Sequence, residues 1–177
     1  RFHPKVSGIL VPLFALRGST DHGSGDTAAM RDLIDWSVSH GLRVTQLLPI
    51  NETGSDNSPY NAISSIALDP LTITLDEEEV PGLRQSDIDE ETRHFGWPFR
   101  KSDRVDYLIA KPFKKAVLRR AYHRFKSSGQ DGASTAEFEE WVTRESEWLL
   151  GYVRFRAIMD RMGGDERWTL WPEEFRT

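Results

Sequence analysis

The 177-residue chain is 38% hydrophobic and 11% aromatic, ordinary for a polypeptide that buries one core of domain size. Its formal charge of −5 offers no basic field for phosphate backbones or anionic lipid, so nucleic acid and membrane surfaces are excluded as general partners. With no cysteine, neither a disulfide framework nor a zinc-thiolate site can form, and a reducing, cytoplasmic setting fits.

The chain opens Arg1-Phe2-His3-Pro4, without initiator Met or apolar leader, as expected of a piece of something longer. No later stretch reaches the roughly 20 apolar residues of a membrane span. Gly8-Ile9-Leu10-Val11-Pro12-Leu13 is a short run of β-formers and predicts a buried strand. Asp26 is placed to cap a helix in which Met30, Leu33, Ile34 and Val38 recur at helical spacing, with Gly41 at its end. Leu42 to Leu48 returns to an extended pattern, so strand, helix and strand form a βαβ unit with parallel strands. Asn51 to Asn61 is a structured loop, and Pro70 to Leu75 is a candidate third strand.

Asp76 to Glu91 is acidic and broken by Pro81-Gly82, which predicts a solvated loop or short helical turns. Beyond Trp97-Pro98-Phe99 the pattern becomes helical. Leu118, Ala121, Tyr122 and Phe125 mark one helix; Ser134 and Glu137 form a capping box for a second that carries Phe138, Trp141, Trp148, Tyr152 and Phe155 and stops at Gly163-Gly164. The aromatic residues of these helices are expected in a core. Trp168-Thr169-Leu170-Trp171-Pro172 closes the chain as an apolar knot.

In parallel α/β folds the functional loops lie at the carboxyl ends of the strands, here Arg17 to Asp26 and Pro49 to Asn61, which should border one crevice. The first contains Gly23-Ser24-Gly25-Asp26-Thr27-Ala28, a loose dinucleotide fingerprint. A long polar segment separates it from the strand, and Asp26 sets a negative charge where pyrophosphate should bind, so the better reading is glycines giving close approach and Asp26 capping the helix. The second loop combines short amide, hydroxyl and carboxylate groups with one aromatic behind a proline. That mixture suits a sugar, whose hydroxyls are read by polar groups and whose apolar face stacks on a ring; the alternative is a well-capped surface turn.

No serine-hydrolase elbow, zinc-protease helix, phosphate loop or calcium loop is present. His3, His22, His40, His94 and His123 lack ligand spacing and are expected as surface or capping residues, so no metal or cofactor is assigned. Glu52 and Asp56 lie on the functional face, but no carboxylate pair stands out for glycosidic chemistry.

Gly8 to Leu13, Gly23-x-Gly25-Asp26, Leu33-Ile34-Asp35-Trp36, Gln46-Leu47-Leu48-Pro49, Thr53-Gly54, Ser58-Pro59-Tyr60 and Ala67-Leu68-Asp69-Pro70-Leu71 follow the order and spacing seen at the start of family 77 4-α-glucanotransferases, the amylomaltases. Arg104-Val105-Asp106-Tyr107, the Lys114 to Phe125 helix, Trp148 to Tyr152 and Trp168-x-x-Trp171-Pro172 resemble the helical insertion of the same family and the segment after it. The resemblance covers nearly the whole chain. It implies an α/β fold: the first βα units of a (β/α)₈ TIM barrel in residues 1–75, and an acidic connection with a mainly helical inserted subdomain in 76–177. It implies transfer of α-1,4-glucan segments between maltooligosaccharides by retaining double displacement.

By that likeness Tyr60 stacks against the sugar at the scissile bond, with Ser58, Pro59 and Asn61 as further substrate-binding positions. Gly25, Asp26 and Asp56 organise the loops. An aromatic that some members carry two residues after Thr53 is Ser55 here, which withdraws that accessory glucan contact. The family's Arg-x-Asp nucleophile, Glu-Asp acid and Thr-His-Asp motifs have no counterpart; Arg104-Val105-Asp106 matches the first by letters but lies in the insertion-like segment. The chain is therefore expected to lack catalytic residues and to be inactive alone, the rest of the catalytic domain belonging to the parent protein. Leu48 to Thr53 also resembles the branch that carries starch-binding modules ahead of the barrel. Two other classes remain open: a noncatalytic glucan-binding module, and a helical protein-interaction domain with Trp141 or Trp148 exposed.

Overall fold

The computed structural model describes residues 5–96, 103–128 and 132–176, side chains at 128 and 132–134 excepted. The opening is the expected βαβ unit. β1 (Gly8–Val11) and β2 (Val44–Leu47) pair in parallel, Gly8 against Val44 and Val11 against Leu47, and α1 (Thr27–Ser39) makes the crossover. Asp26 caps α1 by accepting a hydrogen bond from the Ala29 amide at 3.1 Å, and Gly41 follows the helix with a positive φ. A parallel sheet is normally covered on both faces. Here Leu10 and Val44 on the strands and Ile34, Trp36 and Val38 on α1 are exposed, so β1 is not the buried strand expected.

The run from Pro70 does not become a third strand. Pro70–Thr72 is a 3-10 turn, because the Asp69 carboxylate accepts from the Leu71 amide at 2.9 Å while Thr72 Oγ1 donates to the Asp69 carbonyl at 2.7 Å. Local side-chain bonding of this kind competes with sheet pairing, and proline at the first turn favours it.

The acidic stretch needs a larger correction. It leads into a full helix, α2 (Gln85–Phe95), with two of its carboxylates buried. Arg124 reaches Asp87 through two bonds, Nη1 to Oδ2 at 2.5 Å and Nη2 to Oδ1 at 2.7 Å, while Arg120 Nε donates to Glu91 Oε1 at 2.6 Å. These arginines come from α3 (Tyr107–Ser128), so Asp87, Glu90 and Glu91 form half of an interhelical ion-pair ladder, whereas Asp76 to Glu79 lie in exposed turn structure as expected. The core lies at the same junction: Leu75, Leu83, Ile88, Phe113, Val117 and Ala121 form one buried cluster, with Val80, Phe95 and Leu118 packed around it.

The second helical pattern divides into α4 (Gly132–Arg144) and α5 (Ser146–Arg161). Glu145 leaves helical geometry, and its carboxylate accepts from Trp148 Nε1 at 2.9 Å and Arg144 Nε at 3.1 Å. Because α4 begins at Gly132, Ser134 lies within the helix rather than at its cap; its side chain and Trp97-Pro98-Phe99 lie outside the described residues. Phe125, Phe138, Trp141, Trp148 and Tyr152 form a chain of ring contacts 5.8 to 6.4 Å apart. These rings are not all core. Phe138 and Trp141 are a little over one-third exposed and line a 680 Å³ groove with Val80, Leu118 and Tyr122. In the closing knot Trp171 is buried against Phe155, whereas Trp168 and Leu170 face solvent. Among the described residues no helix is long and apolar enough to cross a membrane.

Candidate functional site: two loops after the parallel strands

The first loop is organised around Asp21, a residue the sequence did not single out. Its buried carboxylate accepts from the amides of Gly18 at 2.9 Å and Gly23 at 2.8 Å, and from Arg17 Nε at 3.1 Å. Gly25 then presses into the chain after β1: its amide donates to the Phe14 carbonyl at 3.0 Å, and a Cβ there would stand 2.0 Å from the Leu13 carbonyl oxygen. Glycine is required by this approach. Asp26 is almost wholly buried, one oxygen capping α1 and the other without a hydrogen-bond partner among the described residues.

Besides Arg17, positive charge reaches this loop from α3. Lys114 is fully buried and donates to the Ile73 carbonyl, and burial pushes its pKa down to about 8 against the opposing pull of Asp26 and Asp21. A sequence signal for Lys114 existed: Ala110, Phe113, Val117 and Ala121 recur at helical spacing, and Lys114 falls on their buried face. Thr74 ties the loop from below, its hydroxyl 2.8 Å from both Thr27 Oγ1 and the Ala28 amide. His22 stacks on Phe113 with ring centroids 5.7 Å apart, so it is packed rather than a surface residue. His40 does end α1, with Nδ1 2.8 Å from the Trp36 carbonyl.

The second loop is closed by backbone bonds across its base, Glu52 N–H to the Ala67 carbonyl at 3.0 Å and Ile63 N–H to the Glu52 carbonyl at 2.9 Å. Within it Asp56 accepts from the Ser58 amide at 3.0 Å and from Asn61 Nδ2 at 2.9 Å. Those two bonds, the Ser58 amide first, hold the Asp56 carboxyl below the usual carboxylate range. Asn61 thus spends its amide N–H inside the loop. Ser58, Pro59, Tyr60 and Asn61 share one tight turn closed by the Asn61 amide on the Ser58 carbonyl at 3.0 Å. Tyr60 projects outward, 75% exposed, while Pro59 faces inward onto a small cavity shared with Leu13, Phe14, Pro49, Asn57 and Tyr107. This cavity joins Leu13 and Phe14, just after β1, to the loop after β2, but no residue from Arg17 to Asp26 lines it, so the crevice expected between the two loops is not the one formed here.

Sequence reasoning missed the residues that hold this loop from the helical half. Lys111 Nζ donates to Thr53 Oγ1 at 2.8 Å, and Thr53 Oγ1 donates to Asp69 Oδ2 at 3.2 Å. Tyr152 donates its hydroxyl to the buried Glu52 carboxylate, which also lies 3.3 Å from Arg156 Nη2; burial, then this bond, raises the Tyr152 phenol above its ordinary pKa. Glu166 grips Ser55 from beyond α5. Glu52, Asp69, Lys111, Tyr152, Arg156 and Asp160 line a 550 Å³ cavity under the loop. Glu52 and Asp56 are thus both engaged in structural bonds. Asp106 accepts from the Leu108 amide at 3.1 Å at the start of α3, a capping position. Among the described residues no group of three or more metal-ligating side chains gathers.

Comparison with known proteins bears on what this architecture belongs to. A 4-alpha-glucanotransferase from Chlamydia pneumoniae is 36% identical over 94% of this chain, and one from Thermus thermophilus 31% identical over 98%. The 4-alpha-glucanotransferase DPE2 of Oryza sativa subsp. japonica is 30% identical over 87% of it. The chain spans only 31%, 32% and 16% of the lengths of these relatives. The sequence model of glycoside hydrolase family 77, described as 4-alpha-glucanotransferase, matches residues 11–177, and this chain belongs to that family.

Proposed function

We propose that this chain supplies one wall of the glucan site of a 4-α-glucanotransferase, with Tyr60 as the residue that stacks on the sugar. The observation that carries the reading is the second loop: a turn fixed by Asp56, Ser58 and Asn61 that presents the Tyr60 ring outward at the carboxyl end of β2. A turn ordered in advance leaves less backbone entropy to lose on binding, and the face of a pyranose offers the apolar surface that the Tyr60 ring requires. Pro59 stiffens the turn, and Ser58 and Asn61 offer their remaining polar atoms to sugar hydroxyls. Gly25, Asp26 and Asp56 organise the two loops.

In this reading residues 1–75 begin a (β/α)₈ barrel and 76–177 form the acidic connection and helical insertion. The uncovered apolar residues of β1, α1 and β2 are the surface on which further barrel units would pack. The parent enzyme moves α-1,4-glucan segments between maltooligosaccharides by retaining double displacement in the cytoplasm, and its catalytic carboxylates lie outside this chain. The engagement of Glu52 by Tyr152 and Arg156, and of Asp56 by its own loop, supports that division.

The test uses the complete protein encoded by the parent reading frame. Tyr60→Ala is expected to lower kcat/KM for maltotriose disproportionation roughly tenfold, while Tyr60→Phe, which keeps the ring, stays within about threefold. Equal activity of Tyr60→Ala and the parent would overturn the assignment. The isolated chain, incubated with maltotriose, is expected to yield no longer oligosaccharides; their appearance would place catalytic groups within it.

A further inference from the structure

We infer that Glu166 is a positioning residue for the glucan loop, acting through Ser55; the inference rests on the reading of Tyr60 as a sugar-contacting residue. Ser55 and Glu166 are 111 positions apart, yet both carboxylate oxygens of Glu166 are used on Ser55. The Ser55 amide donates to Oε2 at 2.8 Å and its hydroxyl to Oε1 at 3.0 Å. A carboxylate taking two hydrogen bonds from one residue fixes direction as well as distance.

The neighbouring residue is shaped to admit it. A Cβ on Gly54 would stand 2.8 Å from Glu166 Oε1 and 2.9 Å from Oε2, so the carboxylate occupies the room that the missing side chain leaves. Glu166 in turn sits on an anchored segment. Its neighbour Asp165 pairs with Arg167, Nη2 to Oδ2 at 2.7 Å, and the Asp165 carbonyl accepts from the indole of buried Trp171 at 2.9 Å. A second anchor grips the same loop three residues earlier, where Tyr152 and Arg156 of α5 hold Glu52. The helical region thus fixes the segment of loop that enters the Asp56–Tyr60 turn, and with it the backbone from which Tyr60 projects. Such fixing acts on sugar affinity by removing the cost of ordering the loop, not on the chemical step.

The experiment takes the complete protein and its Glu166→Ala, Glu166→Gln, Ser55→Ala and Tyr60→Ala variants. It measures KM and kcat for maltotriose, amide exchange of Ser55 and the thermal midpoint. Glu166→Ala is expected to raise KM about fivefold with kcat within about twofold, and to speed Ser55 exchange. Glu166→Gln, which keeps a carbonyl oxygen for the Ser55 amide, restores most of the KM. Ser55→Ala, which removes only the hydroxyl bond at an exposed site, raises KM about twofold without lowering the midpoint. If Tyr60→Ala raises KM while Glu166→Ala does not, the positioning role is overturned and the Tyr60 reading stands. If Tyr60→Ala leaves both KM and kcat unchanged, the Tyr60 reading fails and takes this inference with it. A lowered midpoint in Glu166→Ala with unchanged KM would show a purely structural contact and also overturn it.

Discussion

In the βαβ half Leu10, Val38 and Val44 stand open to solvent, whereas in the helical half Phe113, Lys114 and Val117 are wholly buried. The elements themselves explain the contrast. A two-stranded parallel sheet leaves unpaired edges and needs layers on both faces, so two strands and one helix cannot complete a core. Helices satisfy their backbone internally and bury a stripe as soon as one neighbour arrives, which α2 and the segment from Leu75 provide for α3. The lesson is a division of labour. The sheet half carries the polar loop proposed to meet the sugar, and the helical half holds that loop in place through Lys111, Tyr152, Arg156 and Glu166.

The contrast is broken most directly at its strongest point. Phe113→Ala removes a fully buried ring at the centre of the α2–α3 core and is expected to cost about 3 to 5 kcal/mol in denaturant unfolding followed by circular dichroism. A loss below 1 kcal/mol would mean the core does not lie there.

Asp87→Ala comes next, at about 2 to 3 kcal/mol, because it strands the Arg124 guanidinium beside the Gly82 carbonyl. The same pair sets an acid response. The Arg124 hydrogen bond holds the Asp87 carboxyl below its ordinary pKa of 3.8, so its stabilisation is present above that value and is lost as pH falls through the lower folded value. Asp87→Asn should therefore flatten the fall in stability below about pH 4 seen in the parent chain.

Lys114 works in the opposite direction. Its folded pKa of about 8 lies under the ordinary 10.5, so the unfolded chain binds more protons between those values and the Lys114 contribution makes stability rise with pH across that window. Urea unfolding at pH 7.5 and pH 10 should show this increment in the parent and lose it in Lys114→Met; an identical pH response in both would refute a buried, destabilised ammonium.

The smallest effect sharpens the other side of the comparison. Val38→Ser, at a position 69% exposed on α1, is expected to change the stability of the chain by less than about 0.5 kcal/mol. A cost above 2 kcal/mol would show that α1 is covered after all.

Local periodicity and capping chemistry determined much by themselves. The βαβ unit, the Asp26 cap, the helical character beyond Asp106 and the polar loop around Tyr60 were all legible, because strand alternation, helix spacing and cap chemistry act within a few residues. So was the family, whose motifs lie in short contiguous runs. The Pro70 turn was misread because β-formers there compete with the Asp69 side chain, and local bonding wins when no strand arrives to pair.

What tertiary structure alone decided is which polar groups are partnered across distance. An acidic run reads as solvated until Arg120 and Arg124 of another helix are laid against it, and Glu166 looks like any surface carboxylate until the fold sets it against Ser55. The physical reason is that the charge of a side chain is written in its own residue, while the cost or benefit of that charge depends on neighbours 29 to 111 positions away that only folding brings within hydrogen-bonding reach.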